Sequence, residues 1–319
     1  MEFSNTSFLN RFLLHFYMIK GKKIMITGGA GFIGGVLKQR LEKDNEIIVF
    51  DKSEGHDILD YDQLNSMMKG VDMVLHLAAI AGQNIAWKLP RETMEVNLIG
   101  TYNVLNAMVE NKVNHIVFTS TSEVYGPEID NAKEDEFVRQ GPPQQIRWMY
   151  ATSKLACENF LYAYKLKYGM KITILRYFNV YGEGQDRTGH AGAIIIFIRK
   201  AMAGDPITVN NDGKQVHTWC HVDDCVDATI KAMESDKAEG EVFNIGNSST
   251  RITIKELAER AISLSKSKST IEFVKMEKPD IKLRVPNVEK AKKLLAYNPK
   301  VGLDEGIKRV IQWYQKESS

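Results

Sequence analysis

The stretch KKIMITGGAGFIGG, Lys22 to Gly35, runs from an apolar strand into a glycine-rich turn and on into a helical pattern, VLKQRLEKD. Gly28, Gly31 and Gly34 stand three residues apart across the turn, with Phe32 and Ile33 between them. Glycine there lets the backbone turn tightly and approach a pyrophosphate, whose charge the helix N-terminus stabilises. A second strand, EIIVFD, closes a unit of about thirty residues, the length a βαβ crossover requires. It ends in Asp51, where a carboxylate meets the hydroxyls of an adenosine ribose. The same carboxylate repels a ribose phosphate, so the pattern predicts NAD rather than NADP, with neighbouring Lys52 as the one opposing feature.

Outward from this unit the chain keeps its rhythm. Apolar strands at VDMVLHLA, HIVFTS and KITILRY alternate with helical patterns at LPRETMEVNLIGTYNVLNAMVEN and YATSKLACENFLYAYKLKYG. Such alternation predicts an α/β fold, a Rossmann-type doubly wound parallel sheet covered on both faces, over residues 19–182. Beyond Gly182 the strands shorten (DPITVN, KQVHTWC, EVFNIG) and mix with helices at AGAIIIFIRKAMAG, TIKELAERAISLSKS and VEKAKKLLAY. Residues 183–319 therefore read as a smaller α/β C-terminal substrate-binding lobe, with some segments crossing between lobes. No repeat or linker separates the two, so a shared cleft is expected.

With 319 residues, 44% of them hydrophobic, the chain can bury a sizeable core. Its 42 basic and 40 acidic residues leave a formal charge of only +2, which gives no global attraction to nucleic acid or membrane. Cys157, Cys220 and Cys225 are too few and too irregular for a disulfide framework, which fits the cytoplasm. The segment HTWCHVDDC lacks paired metal-ligand spacing, and strand alternation splits its side chains between faces, so no metal is expected. Residues 1–18 read as a loosely ordered extension: Glu2, Arg11 and His15 interrupt their apolar patches, and no small-residue cleavage site follows. No run approaches the roughly 18 apolar residues of a membrane span.

Two further stretches carry chemistry. VFTSTSEVYG, Val117 to Gly126, ends a buried strand in hydroxyls and a carboxylate. At the carboxyl end of a parallel strand, Thr121, Ser122 and Glu123 border the ligand crevice. In MYATSK, Tyr150 and Lys154 lie four apart and share one helix face. An ammonium beside a phenol favours the phenolate, which can then take a proton from an alcohol being oxidised.

Together TGGAGFIGG, Asp51, HDI with Asp57, HLAA at His76 to Ala79, VNLIGTYNVL with Asn97, STSEVYG, YATSK, RYFNVYG and HVDD resemble the extended short-chain dehydrogenase/reductase family, in particular its NAD-dependent nucleotide-sugar epimerases and dehydratases. The resemblance spans nearly the whole chain from about Lys22. It implies that Tyr150 is the base at the sugar's carbon 4 hydroxyl, that Lys154 binds the nicotinamide ribose, and that Thr121 completes the triad. It implies that Asp57 and Ile58 flank adenine and that Leu77, Ala78, Ala79, Asn97 and Tyr177 belong to the cofactor site. Ser122, Glu123, Asn179 and Arg284 fall to a UDP- or GDP-sugar. His217 stands where relatives often carry an arginine before VDD, so the base of the nucleotide is not fixed by the motif.

The same resemblance frames the outcome. Oxidising carbon 4 acidifies the proton at carbon 5, and a carboxylate at position 123 can handle that proton. Thr121-Ser122-Glu123 is similar to the triplet of GDP-mannose 4,6-dehydratases and of UDP-glucuronate decarboxylases. Arg147-Trp148 and Arg284-x-Pro286 resemble decarboxylases, whereas AAIAGQ with Asn97 resembles epimerases and dehydratases. The leading expectation is a 4,6-dehydratase or 4-epimerase. A decarboxylase, a 4-oxidase or 4-keto reductase, and a non-catalytic NAD-binding regulator are the alternatives. A homodimer is implied as well, with the Tyr150 and Asn97 helices pairing in a four-helix bundle.

Overall fold

The computed structural model describes residues 19–188, 191–276 and 280–317, so the extension expected over 1–18 lies outside the described residues. The first strands are β1 (Lys23–Thr27), β2 (Glu46–Phe50), β3 (Met73–His76), β4 (His115–Thr121), β5 (Glu128–Ala132) and β6 (Lys171–Tyr177). All but β5 lie in one sheet, in the order β2-β1-β3-β4-β6, with the strand Val242–Ile245 beyond β6 and every pair parallel.

Side chains alternate across these strands, so each feeds two cores. Ile24, Ile26, Leu75 and Val117 pack on one face with Leu37 and Leu41 of the helix Phe32–Leu41 and with Val226 of the helix Val222–Glu234. Met25, Val74, Ile116 and Phe118 pack on the other with Val104 and Leu105 of the helix Gly100–Glu110 and Leu161 of the helix Met149–Tyr168. Burial on both faces explains the unbroken apolar runs in the sequence. Each such side chain contributes roughly 1.5–3 kcal/mol.

Three segments depart from their linear reading. EVFNIG, grouped above with the smaller lobe, supplies the outer strand of the main sheet, because Phe243 and Ile245 complete the core beside Leu175. In return β5 leaves the first half of the chain and joins a second sheet in the order Ile252–Thr253, Val216–His217, Leu283–Pro286, β5. KQVHTWC splits into Val216–His217 and Cys220–His221, and the latter pairs with Val180–Tyr181 instead. The long pattern around Asn97 is helical throughout but contains a π-turn at Glu95–Ile99 between Pro90–Met94 and Gly100–Glu110.

Strand order reverses at β1, whose neighbours are β2 on one side and β3 on the other. A crevice opens there at the carboxyl ends of the strands, where ligands of doubly wound sheets bind. The smaller lobe covers it with its own core of Ile194, Phe197, Ile207, Leu257, Ile307 and Val310.

Candidate active site

A cleft of about 900 Å³ separates the lobes. Thr121, Ser122, Glu123, Tyr150 and Lys154 line its middle, Ile33, Leu77, Ala79 and Tyr177 its cofactor side, and Asn179, His217 and Arg284 its far side. These expected residues converge on one cavity from distant parts of the chain, whereas Gly28, Gly31, Gly34, Asp51, Asp57 and Asn97 are not in its lining.

β4 delivers Thr121 and breaks into a 3₁₀ turn because the Thr121 Oγ1 accepts the Glu123 amide at 3.2 Å. The Thr121 hydroxyl faces the Tyr150 phenol. Burial raises that phenol's pKa above its ordinary value, the Glu123 charge adds to the rise, and the Thr121 hydroxyl opposes it. Lys154, expected to tune the phenol, makes its hydrogen bond elsewhere. Its Nζ donates to the Thr119 carbonyl at 2.8 Å and lies 4.6 Å from the centre of the Phe118 ring, and burial lowers its pKa to about 8. Lys154 emerges one helical turn after Tyr150, and its contacts are with Thr119 and Phe118 of β4.

The cofactor side is made of backbone. Gly28 has φ +73°, and a Cβ on it would lie 2.7 Å from the Ala78 nitrogen. A Cβ on Gly34 would lie 2.2 Å from the Gly28 oxygen, so helix and turn meet this closely only as glycine. Gly31, at the head of the helix Phe32–Leu41, gives that helix no side-chain cap, which leaves its first amides for an anion. Asp51 takes the Ala30 amide at 3.1 Å on one oxygen and Ser53 on the other, holding the turn against the end of β2. Lys52, the feature that argued for a phosphate, pairs with Asp57 at 3.0 Å. The Leu59 amide and then Lys52 hold the Asp57 carboxyl below its usual range. These residues fit a dinucleotide with an unphosphorylated adenosine ribose.

Some expected cofactor residues act at one remove. Asn97 does not present its amide to the cleft: Oδ1 accepts the Ile80 amide at 2.9 Å, and Nδ2 donates to Ser153 Oγ at 2.9 Å. It ties the loop after β3 to the Tyr150 helix. Phe32 packs toward Gly182, Ile58 is buried against Gly100, and Ala78 donates to Thr27 Oγ1 at 3.2 Å.

The far side is made of charge. Glu123 Oε2 accepts from Arg147 Nη1 at 2.6 Å, and its Oε1 lies 3.5 Å from Arg284 Nη1. Both guanidiniums are buried. Arg284 also donates to the Gly126 carbonyl at 3.3 Å, and burial lowers its pKa to about 10. Beside them His217 is kept neutral, its pKa lowered to about 4 by burial and then by Arg284. Asn179 holds φ +40° while its Nδ2 donates to the Thr218 carbonyl at 2.9 Å. Arg147 marks a branch in the sequence but was not expected in the site. Its only signal was its place three residues before Tyr150. Behind Glu123, Arg147 itself does not line the cleft; Gln185, Gln215 and Trp219 do, without a motif to announce them.

The model of the NAD dependent epimerase/dehydratase family matches residues 24–246. This chain belongs to that family. A UDP-N-acetyl-alpha-D-glucosaminuronate decarboxylase of Bacillus cytotoxicus is 37% identical over 92% of this chain and 98% of its own. The crystal structure of a UDP-glucose 4-epimerase from Thermotoga maritima with UDP-glucose superposes with a TM-score of 0.86, at 29% identity over 93% of this chain and 100% of that one. A UDP-glucuronic acid 4-epimerase from Bacillus cereus, in complex with UDP-glucuronic acid and NAD, gives 0.83 at 29% identity over 92% and 99%. The family member described here is an NAD-dependent enzyme of the nucleotide-sugar epimerase/dehydratase type, and the decarboxylase alternative fits these relatives as well. Among the described residues no helix is long and apolar enough to cross a membrane.

Proposed function

We propose that this enzyme is a decarboxylase of a UDP-hexuronate that works through transient oxidation of carbon 4. The observation that carries the reading is Glu123 held between Arg147 and Arg284. Among the buried groups two guanidiniums face one carboxylate, and neutral His217 does not change that balance. Asp280, the last and weakest of the charges acting on Arg284, is only half-buried and hydrogen-bonded by Gln215 Nε2 at 2.9 Å, so it offsets part of the positive charge and leaves the buried excess. A buried charge without a partner is costly, so the site is complementary to a substrate that brings an anion. A sugar carboxylate at carbon 6 supplies it, and a neutral hexose does not. The names of the relatives favour uridine over guanosine.

NAD, when bound, accepts the hydride of carbon 4 and returns it. Tyr150, beside Thr121, would take the proton of the carbon 4 hydroxyl as phenolate, a form that burial disfavours and the positive charge of bound NAD would favour. The ketone makes the carbon 6 carboxylate a β-keto acid, which loses carbon dioxide without a base and leaves its electron pair as an enolate over carbons 4 and 5. Arg284 holds the carboxylate before it leaves. Water oriented by Glu123 gives carbon 5 its proton, and Tyr150 returns its own when the ketone is reduced. Dehydration would instead require Glu123 to take the carbon 5 proton against its ion pairs with two arginines. Decarboxylation asks for no such step.

Purified enzyme is offered UDP-glucuronate, UDP-N-acetylglucosaminuronate and, as a neutral control, UDP-glucose, and products are weighed by mass spectrometry. A product lighter by carbon dioxide from one or both uronates is expected. A uronate product of unchanged mass, or water lost from UDP-glucose at a comparable rate, sinks the proposal.

We also propose that the enzyme is a cytoplasmic homodimer, its three cysteines being buried free thiols. Ile99, Tyr102, Tyr162, Leu166 and Tyr168 form an exposed apolar face on the Asn97 and Tyr150 helices, suited to a four-helix bundle with a second copy. Light scattering is expected to give twice the chain mass, and Leu166→Glu half of that; a monomeric wild type ends the idea.

A further inference from the structure

Arg147 is 2% exposed, yet the cleft is lined by Glu123 and Arg284 and not by Arg147. It comes from the 3₁₀ turn Ile146–Trp148, directly ahead of the helix that carries Tyr150. Only its Nη1 is paired, with Glu123 at 2.6 Å. Nε and Nη2 are buried with no partner among the described residues, and the guanidinium carbon lies 5.2 Å from the Trp148 ring centre. An unmade hydrogen bond of a buried donor is destabilising, and an apolar side chain of that length would fill such a space without that cost. Stability alone does not account for an arginine here.

We infer that Arg147 is a positioning residue that fixes Glu123 for the steps after carbon 4 oxidation; this rests on the decarboxylase reading above. Oxidation belongs to Tyr150 and Thr121, whereas the hydrogen bond of Arg147 goes to Glu123. Glu123 has one carboxylate oxygen on Arg147 and the other 3.5 Å from Arg284. While Arg147 holds the first oxygen, Arg284 keeps a loose contact and stays available for the substrate carboxylate. Without Arg147 the Glu123 carboxylate turns onto Arg284, takes up the charge meant for the substrate, and no longer orients the water that protonates carbon 5. Carbon–carbon cleavage and carbon 5 protonation then slow, while hydride transfer from carbon 4 does not.

The test uses full-length Arg147→Gln and Arg147→Lys, with thermal unfolding as a control of the fold. Reduced cofactor is followed by its absorbance in a single turnover, carbon dioxide release is followed with whichever UDP-uronate the wild type accepts, and kcat and KM are measured separately. Arg147→Gln is expected to form reduced cofactor within about threefold of wild type while releasing carbon dioxide about 100-fold more slowly, so that reduced cofactor accumulates. Arg147→Lys, which keeps the charge but not the planar fork, is expected to recover part of the release and to serve alone if the glutamine variant does not fold. The inference is overturned if both half-reactions fall together in either folded variant, if carbon dioxide release is unchanged, if only KM moves, or if neither variant folds, since Arg147 is then structural. Wild-type enzyme that releases no carbon dioxide from any uronate overturns the decarboxylase reading itself, a different result from a decarboxylase whose two steps Arg147 does not separate.

Discussion

On the cofactor side of the cleft the chain offers backbone: glycines, unbonded helix amides and one carboxylate that braces the turn. On the sugar side it offers long side chains whose charges are buried, Glu123, Arg147 and Arg284, beside a neutral His217. The contrast follows from what each side must tell apart. A pyrophosphate is met by any close set of amides, and close approach is mainly a matter of leaving out Cβ atoms. A sugar has to be distinguished by its substituents, and a carboxylate is distinguished by an excess of buried positive charge.

If the two sides are separate devices, Tyr150 is the group on which both depend. Tyr150→Phe removes the proton acceptor and is expected to lower kcat by roughly 1,000-fold with either uronate while nucleotide binding stays within a few-fold. Steady-state rates with calorimetric binding check this, and turnover within tenfold of wild type would show that the chemistry lies elsewhere. Gly34→Ala strikes the cofactor side alone, because its Cβ falls 2.2 Å from the Gly28 oxygen. NAD affinity is expected to drop about 100-fold, and UDP binding to stay within about threefold, since a forced overlap of this kind costs about 1–3 kcal/mol. Equal loss of both ligands would show the two sides to be one device.

The smallest effect concerns the histidines. Each side keeps one neutral by burial: His76, with its pKa lowered to about 3 between Thr27 and Thr101, and His217, lowered to about 4. For both, the unfolded chain takes the proton first as pH falls below 6.5, so the stability present above that pH is lost on the way down to each folded pKa. Each adds a slope on the order of 1 kcal/mol per pH unit. Denaturant unfolding between pH 4 and 7 is expected to show this slope reduced in His76→Gln, and an identical slope in wild type and variant removes that histidine from the account.

How much of this was legible beforehand differs between the sides for the same reason. Gly28, Gly31, Gly34 and Asp51 lie within one βαβ unit, so local spacing reports their geometry. Thr121, Tyr150 and Lys154 were read from strand-end and helix-face placement, but the direction in which Lys154 turns was not, because it is set by packing along β4. Asn97 looked like a ligand, whereas its amide is engaged by Ile80 and Ser153, contacts that exist only once the helices are docked.

By itself the sequence determined the alternation of strands and helices, the glycine turn that admits a dinucleotide, and the Tyr-x-x-x-Lys face, because each is a matter of local backbone geometry and side-chain period. Only the tertiary structure decided that Val242–Ile245 completes the first sheet while β5 joins the second, and that Arg147 and Arg284 close on Glu123 from two distant segments. The physical reason is that burial and charge pairing are properties of neighbours in space, which spacing along the chain does not encode.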